Sequence, residues 1–279
     1  MSYRVVVDSC GELTEEMKKD GHFLSAPLTM QVDEYDFVDD ETFDQADFLA
    51  KVAASPNCPK SACPSPDFYR KAFEGEEDHA YAVTLSAQLS GSYNSAQLGK
   101  SMCLEEYPNK KIHVFNSKSA SIGETLIAMK IRECENAGMS FKEVVQKVEE
   151  YIASQTTWFV LETLEALRKN GRLSNLKAAV ATALKIKPVM MSTPEGSIQQ
   201  LGQARGINKA LVKMVDNIVE VTEHPEERIL AISHCNCRDR AMMVKDALLG
   251  RMKVKDAFVV DTAGISSLYA SDGGIIVVV

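Results

Sequence analysis

The sequence lacks the signatures of several common function classes. There is no glycine-rich phosphate loop ending in Gly-Lys-Ser/Thr and no Gly-x-Gly-x-x-Gly, so neither ATP nor a dinucleotide has its usual cradle, and no cofactor is expected. There is no Gly-x-Ser-x-Gly elbow for a serine nucleophile. Basic residues are not in excess: 31 Lys and Arg against 39 Asp and Glu give a formal net charge of −8. A nucleic-acid partner, which calls for a basic face, is therefore not expected. The densest basic stretch, Arg168-Lys169-Asn170-Gly171-Arg172, is short. No run approaches the roughly 18 apolar residues of a membrane span, so no integral membrane association is expected. The opening run Val5-Val6-Val7 is too short for the core of a signal peptide, and a cytoplasmic location follows as the expectation. Seven cysteines, an odd count, are expected to be reduced thiols rather than a disulfide framework.

What is present is an ordinary globular composition, with 45% hydrophobic and 25% charged residues in 279. Strand-like runs recur at 80–84, 112–115, 159–161, 189–191, 229–233, 257–260 and 275–279. Helical patterns lie between most of them. Phe141, Val144, Val145, Val148 and Ile152 lie on one helical face, and Ile207, Leu211, Met214 and Ile218 on another. Alternation of strand and helix predicts an α/β fold. Its N-terminal part would be a doubly wound, mainly parallel sheet, residues 1–155. The segment 188–206 reads as a β-hairpin turning at Pro194-Glu195-Gly196, which predicts a C-terminal α+β domain, 156–279, with a mixed sheet. Two stretches, 26–40 and the proline-bearing 55–67, read as extended loops.

Hydroxyl residues gather after the strand-like runs: Asp8-Ser9, Ser61, Ser86, Ser90-Gly91-Ser92 and Asn116-Ser117-Lys118-Ser119. Beyond the carboxyl ends of parallel strands such groups converge on one crevice, although each singly also suits a helix cap. Leu89-Ser90-Gly91-Ser92-Tyr93 is the sharpest case. A strand turning through Ser-Gly-Ser into a helix aims hydroxyls and backbone N–H groups at one point, with the positive helix end behind them. That geometry holds an anion by neutral donors. A hydrolase would need a histidine beside Ser90, and of His22, His79, His113, His224 and His234 only the last ends a strand-like run. His234-Cys235-Asn236-Cys237 has one histidine and no second ligand pair, a weak zinc signal, and no metal is expected. Arg172 and Arg205 read equally as surface charges or as partners of an acid.

In order along nearly the whole chain, these segments resemble the DegV family of fatty-acid-binding proteins, which includes the acyl-binding subunit of fatty acid kinase. Asp8-Ser9 matches the family's opening motif, with Cys10 in place of a hydroxyl. Lys60-Ser61-Ala62-Cys63-Pro64-Ser65-Pro66 resembles its Thr-Ser-x-Pro-Ser loop, and Leu89-Ser90-Gly91-Ser92-Tyr93 its Leu-Ser-Gly-Thr-Tyr. Asn116 to Ser121, Gly171-Arg172-Leu173-Ser174, Lys187-Pro188 and Ala204-Arg205-Gly206 follow in the family's order. At the C-terminus Tyr269 stands where the family often has a histidine.

The resemblance implies a carrier that binds a long-chain fatty acid and presents it to a partner fatty acid kinase, without chemistry of its own. Carried over by position, it implies Ser61 and Ser90 as the groups holding the carboxylate, with Gly91 adding a backbone N–H and Tyr269 a neutral donor. Ser92, Arg172 and Ser9 would stand behind them. The acyl chain would lie in an apolar tunnel, which the 12 methionines suit by their flexibility, although core packing accounts for most of them. A monomer is expected. The alternative is a serine-dependent acyl hydrolase or transferase using Ser90.

Overall fold

The computed structural model describes residues 2–173 and 185–279. Ser174 of the Gly-Arg-Leu-Ser motif lies outside the described residues.

The chain opens with β1 (Tyr3–Asp8), α1 (Glu15–Asp20), β2 (Phe23–Ala26), β3 (Thr29–Val32) and β4 (Tyr35–Val38). Then come α2 (Gln45–Ala54), β5 (Lys60–Ala62), α3 (Pro66–Phe73), β6 (His79–Thr84), α4 (Ser92–Glu106), β7 (Lys111–Asn116), α5 (Ile122–Asn136) and α6 (Phe141–Ser154). Four of these strands form a parallel sheet in the order β2-β1-β6-β7. Its central strands are buried on both faces, as near-continuous apolar runs in a covered parallel sheet must be. Val6, Ala82 and Val114 face α3 and α4, while Val5, Val7, Val83 and Phe115 face α5 and α6. The helices therefore wind on both sides, as the alternation predicted.

The two stretches read as extended loops contain strands. Antiparallel β4-β3-β5 make a second, three-stranded sheet, with Met30 opposite Ser61. The signal is brief: Thr29-Met30-Gln31-Val32 alternates exposed and buried over only four residues. Of the four prolines, Pro66 starts α3, where its missing N–H costs nothing, behind the Ser65 cap.

The rest comprises β8 (Thr157–Val160), α7 (Glu165–Lys169), β9 (Ile186–Ser192), β10 (Ile198–Arg205), α8 (Ile207–Val221), β11 (Ile229–His234), α9 (Arg238–Leu249), β12 (Asp256–Asp261), α10 (Gly264–Ala270) and β13 (Ile275–Val278). Its sheet runs β10-β9-β8-β13-β11-β12, and only β11 and β12 are parallel. The hairpin is present, with β9 and β10 antiparallel around Pro194-Glu195-Gly196. Met214, Ile218 and Leu248 of α8 and α9 cover one face of this sheet. The opposite face meets α5, where Ile122 and Leu126 pack on Ala231 and Val278. The two large sheets are thus joined through one shared helix layer.

Candidate headgroup and acyl site

The carboxyl ends of β1, β6 and β7 lie together, and polar side chains fix their loops. Asn116 Oδ1 accepts the N–H groups of Ala87 (3.1 Å) and Lys118 (3.2 Å), and the Ser86 N–H reaches the Ser119 carbonyl at 2.8 Å. After β6 the chain turns through Ser90-Gly91 into α4. Ser90 is half-buried and Ser92 fully buried. Ser92 N–H donates to Ser90 Oγ at 3.2 Å, and Ser90 Oγ donates to Ser92 Oγ at 3.2 Å. The Gly91 N–H has no acceptor among the described residues and heads the helix at the exposed surface. A Cβ on Gly91 would stand 3.3 Å from Cys63 Sγ, so the loop after β5 approaches the turn closely. Ser95 of α4 ties that loop down by donating to the Pro64 carbonyl.

Four distant parts of the sequence therefore converge. Ser61 Oγ lies 3.3 Å from the Tyr269 hydroxyl. The Arg172 guanidinium sits 5.8 Å from the centre of the Tyr269 ring, and its Nε donates to the Leu89 carbonyl at 3.0 Å, next to Ser90. Ser9 is elsewhere. It donates to Asp39 at 2.8 Å and accepts the Leu28 N–H at 3.0 Å. Asp39 in turn accepts the Gly264 and Ile265 N–H groups at 2.7 and 2.9 Å, so Ser9 acts on the site through α10, which carries Tyr269.

Behind Tyr269 and Arg172 opens an apolar cavity of about 90 Å³. Leu85 and Leu89 line it from the turn after β6, Phe159, Leu161 and Ile276 from the end of β8 and from β13, and Ile265 from α10. No methionine lines it; Met17, Met30, Met190 and Met214 are buried core instead. Ser119, Thr157, Ser192 and Ser197 also contribute to the wall. Ser119 and Thr157 hydroxyls satisfy each other at 2.6 Å, so that stretch is polar without unpaired groups. The hairpin tip seals the wall: Ser86 Oγ donates to the Gly196 carbonyl at 2.6 Å.

The His234-Cys235-Asn236-Cys237 segment is a tight turn after β11. The Cys237 N–H donates to His234 Nδ1 at 3.3 Å, Asn236 has φ 51°, and Cys235 is buried. Ser90 has no histidine at hand. His79 pairs with Glu135 at 2.6 Å, His234 lies 3.3 Å from Asp261, and the other three contact Tyr3, Glu149 and Glu226.

The family model described as "Uncharacterised protein, DegV family" matches residues 2–278. The chain belongs to the DegV family. A DegV domain-containing protein of Streptococcus gordonii is 35% identical over 278 residues, covering 99% of this chain and 98% of that protein. A DegV protein from Ruminococcus gnavus, whose structure was refined with vaccenic acid, is 55% identical with a TM-score of 0.97, each chain covered completely. The Streptococcus pneumoniae fatty acid kinase (Fak) B3 protein, solved loaded with linoleic acid, is 33% identical with a TM-score of 0.89, covering 100% of this chain and 99% of that one. What the sequence did not signal is the Arg172 contact to a main-chain carbonyl, which depends on no side-chain motif at Leu89.

Proposed function

We propose that this DegV protein binds a long-chain fatty acid, its carboxylate at Ser61, Ser90, Gly91 and Tyr269 and its acyl chain in the cavity behind them. The observation that carries the reading is the continuity of the two parts. Tyr269 and Arg172 touch the hydroxyl cluster and also line the apolar cavity. Neutral hydroxyl and amide donors suit a carboxylate beside which only one guanidinium stands. The chain supplies most of the affinity: about 0.8 kcal/mol per buried methylene, hence on the order of 11 kcal/mol for about fourteen before the costs of association.

The same reading makes the protein a carrier rather than an enzyme, since Ser90 faces Ser92 and no base. It takes 1–155 and 156–279 as two domains that enclose the ligand together, and a fatty acid kinase as the partner to which the headgroup is shown. The resemblance to a protein solved as a fatty acid kinase B component supports that partner. Among the described residues no helix is long and apolar enough to cross a membrane, consistent with a carrier that shields its lipid internally.

Calorimetric titration of the delipidated protein tests the headgroup. Palmitate is expected to bind at least tenfold more tightly than hexadecanol, because only the acid offers a charged acceptor to these donors. Equal affinities would remove the carboxylate site.

A further inference from the structure

Behind the Ser90-Gly91-Ser92 turn lies a cluster that fatty-acid binding does not account for. Asp8 ends β1 and Glu124 stands in the first turn of α5, and both are fully buried. Asp8 is well supplied: one oxygen accepts the Leu85 N–H at 2.9 Å and the other that of Cys10 at 3.2 Å. Glu124 is not. Neither of its oxygens meets an N–H or hydroxyl donor, and the carboxyl that it faces is that of Asp8. The Asp8, Glu124 and Cys10 side-chain donor atoms all lie within 4.8 Å of one another. Glu12, Tyr69 and Cys63 are the other titratable groups that bear on the pair. None of the groups acting most strongly on either acid is a lysine or arginine. The Tyr69 hydroxyl, also buried and without a partner, is close enough to feel both charges.

Two carboxylates this close in a dry interior repel strongly unless a proton or a cation intervenes. The surroundings favour the proton. Both Asp8 oxygens are already engaged by N–H groups, and Cys10 Sγ accepts the Ser121 N–H at 3.3 Å. That leaves the Glu124 carboxyl and the Tyr69 hydroxyl uncommitted, and a neutral Glu124 carries a donor for the Asp8 carboxylate that it faces.

We propose that Asp8 and Glu124 share a single proton, Glu124 the neutral donor and Asp8 the ionised acceptor, and that this pair positions the hydroxyls of the headgroup turn. Burial pushes Asp8 up to about 6. Burial and the neighbouring Asp8 charge hold Glu124 well above the usual carboxylate range. The connection forward is short. Ser92 lies close enough to Asp8 to act on its carboxylate, and Ser92 and Ser90 are joined by two hydrogen bonds of 3.2 Å. The charge on Asp8 therefore directs the Ser92 hydroxyl, and Ser92 directs Ser90. Loss of the shared proton would place a second negative charge two hydroxyls behind an arriving carboxylate. This coupling rests on the reading of Ser90 as a headgroup donor, its hydroxyl hydrogen turning from Ser92 to the carboxylate when the ligand arrives.

Carbon-13 NMR of the full chain, labelled at aspartate and glutamate carboxyls, tests the pair at neutral pH. One carboxyl resonance is expected at the position of a neutral acid and is expected to vanish in Glu124→Gln, whose amide still donates to Asp8. A spectrum of ionised carboxyls alone would overturn the proposal, as would a stoichiometric metal ion found by elemental analysis of protein purified without chelator. Palmitate affinity followed from neutral to alkaline pH tests the coupling. The wild type is expected to lose about tenfold as the pair loses its proton, and Glu124→Gln to show no such step; identical profiles would overturn the coupling. Ser90→Ala separates the two claims. Unchanged palmitate affinity in that variant would remove the headgroup reading and leave the NMR result standing. Weakened affinity without a neutral-acid resonance would remove the pair alone.

Discussion

Ser61 and Tyr269 share one hydrogen bond at the mouth of an apolar cavity, and this pairing sets what each substitution should do. Tyr269→Phe keeps the ring under Arg172 and removes only the hydroxyl. Palmitate binding is expected to weaken by about 1 kcal/mol, roughly fivefold, measured by titration calorimetry. Ser90→Ala is expected to cost more, about 1.5–3 kcal/mol, because its acceptor is charged. Glu12 gives a residue-scale prediction for stability. It is buried against Ser121, which donates to it at 3.0 and 2.9 Å, and burial pushes it up to about 7. A raised acid binds its proton more tightly folded than unfolded. Its contribution is present below about pH 4.5 and declines as pH rises toward about 7, by up to about 3 kcal/mol. Glu12→Gln should therefore gain stability over the wild type at neutral pH and not at pH about 4, read from urea unfolding at both. The sequence singled out Ser90 by the Ser-Gly-Ser turn after a strand-like run, and Ser61 by its place in the family's order of motifs. Asp39, which caps α10 with Ser9, was not legible there: nothing local distinguishes it from a surface aspartate.

Among elements, the β9–β10 hairpin has the most exacting contact. Gly196 has φ 89°, and a Cβ there would fall 2.3 Å from Ser86 Oγ and 2.8 Å from Lys118 Cα. The tip can lie against the loops after β6 and β7 only because that residue has no side chain. Gly196→Ala should lift the tip, cost about 1–3 kcal/mol in thermal unfolding, and weaken long-chain acids more than short ones, since Gly196 and Ile198 line the cavity. Unchanged chain-length preference would detach the hairpin from the tunnel. The hairpin itself was legible, because Pro-Glu-Gly follows the apolar run Val189-Met190-Met191 and precedes a second extended stretch. The long helices were too: α6 carries a Ser140–Glu143 capping box before its apolar stripe. The three-stranded β4-β3-β5 sheet was not, because strands of three and four residues offer too few alternations to stand out from loop.

Across the whole molecule the apolar cavity belongs to neither sheet alone. Leu85 and Leu89 come from one side of the chain, Phe159 and Ile276 from the other, and α10 closes it from a third direction. The doubly wound sheet and the mixed sheet could be read from periodicity, residue by residue. Their mutual placement could not, because Ile122 and Leu126 meet Ala231 and Val278 across more than a hundred residues with no local pattern to announce it. On the proposed reading the ligand is part of this interior, so it should stabilise the fold. Palmitate at about one hundred times its Kd is worth about 2.7 kcal/mol, expected as a rise of about 5–10 °C in the melting temperature of delipidated protein. The most direct measurement is the mass of the protein as purified, under conditions gentle enough to preserve non-covalent complexes. The account predicts a complex heavier than the polypeptide by one long-chain fatty acid, which is released on denaturation and recovered as a free acid. A bare polypeptide mass, in a folded protein that also fails to take up added palmitate, would contradict it.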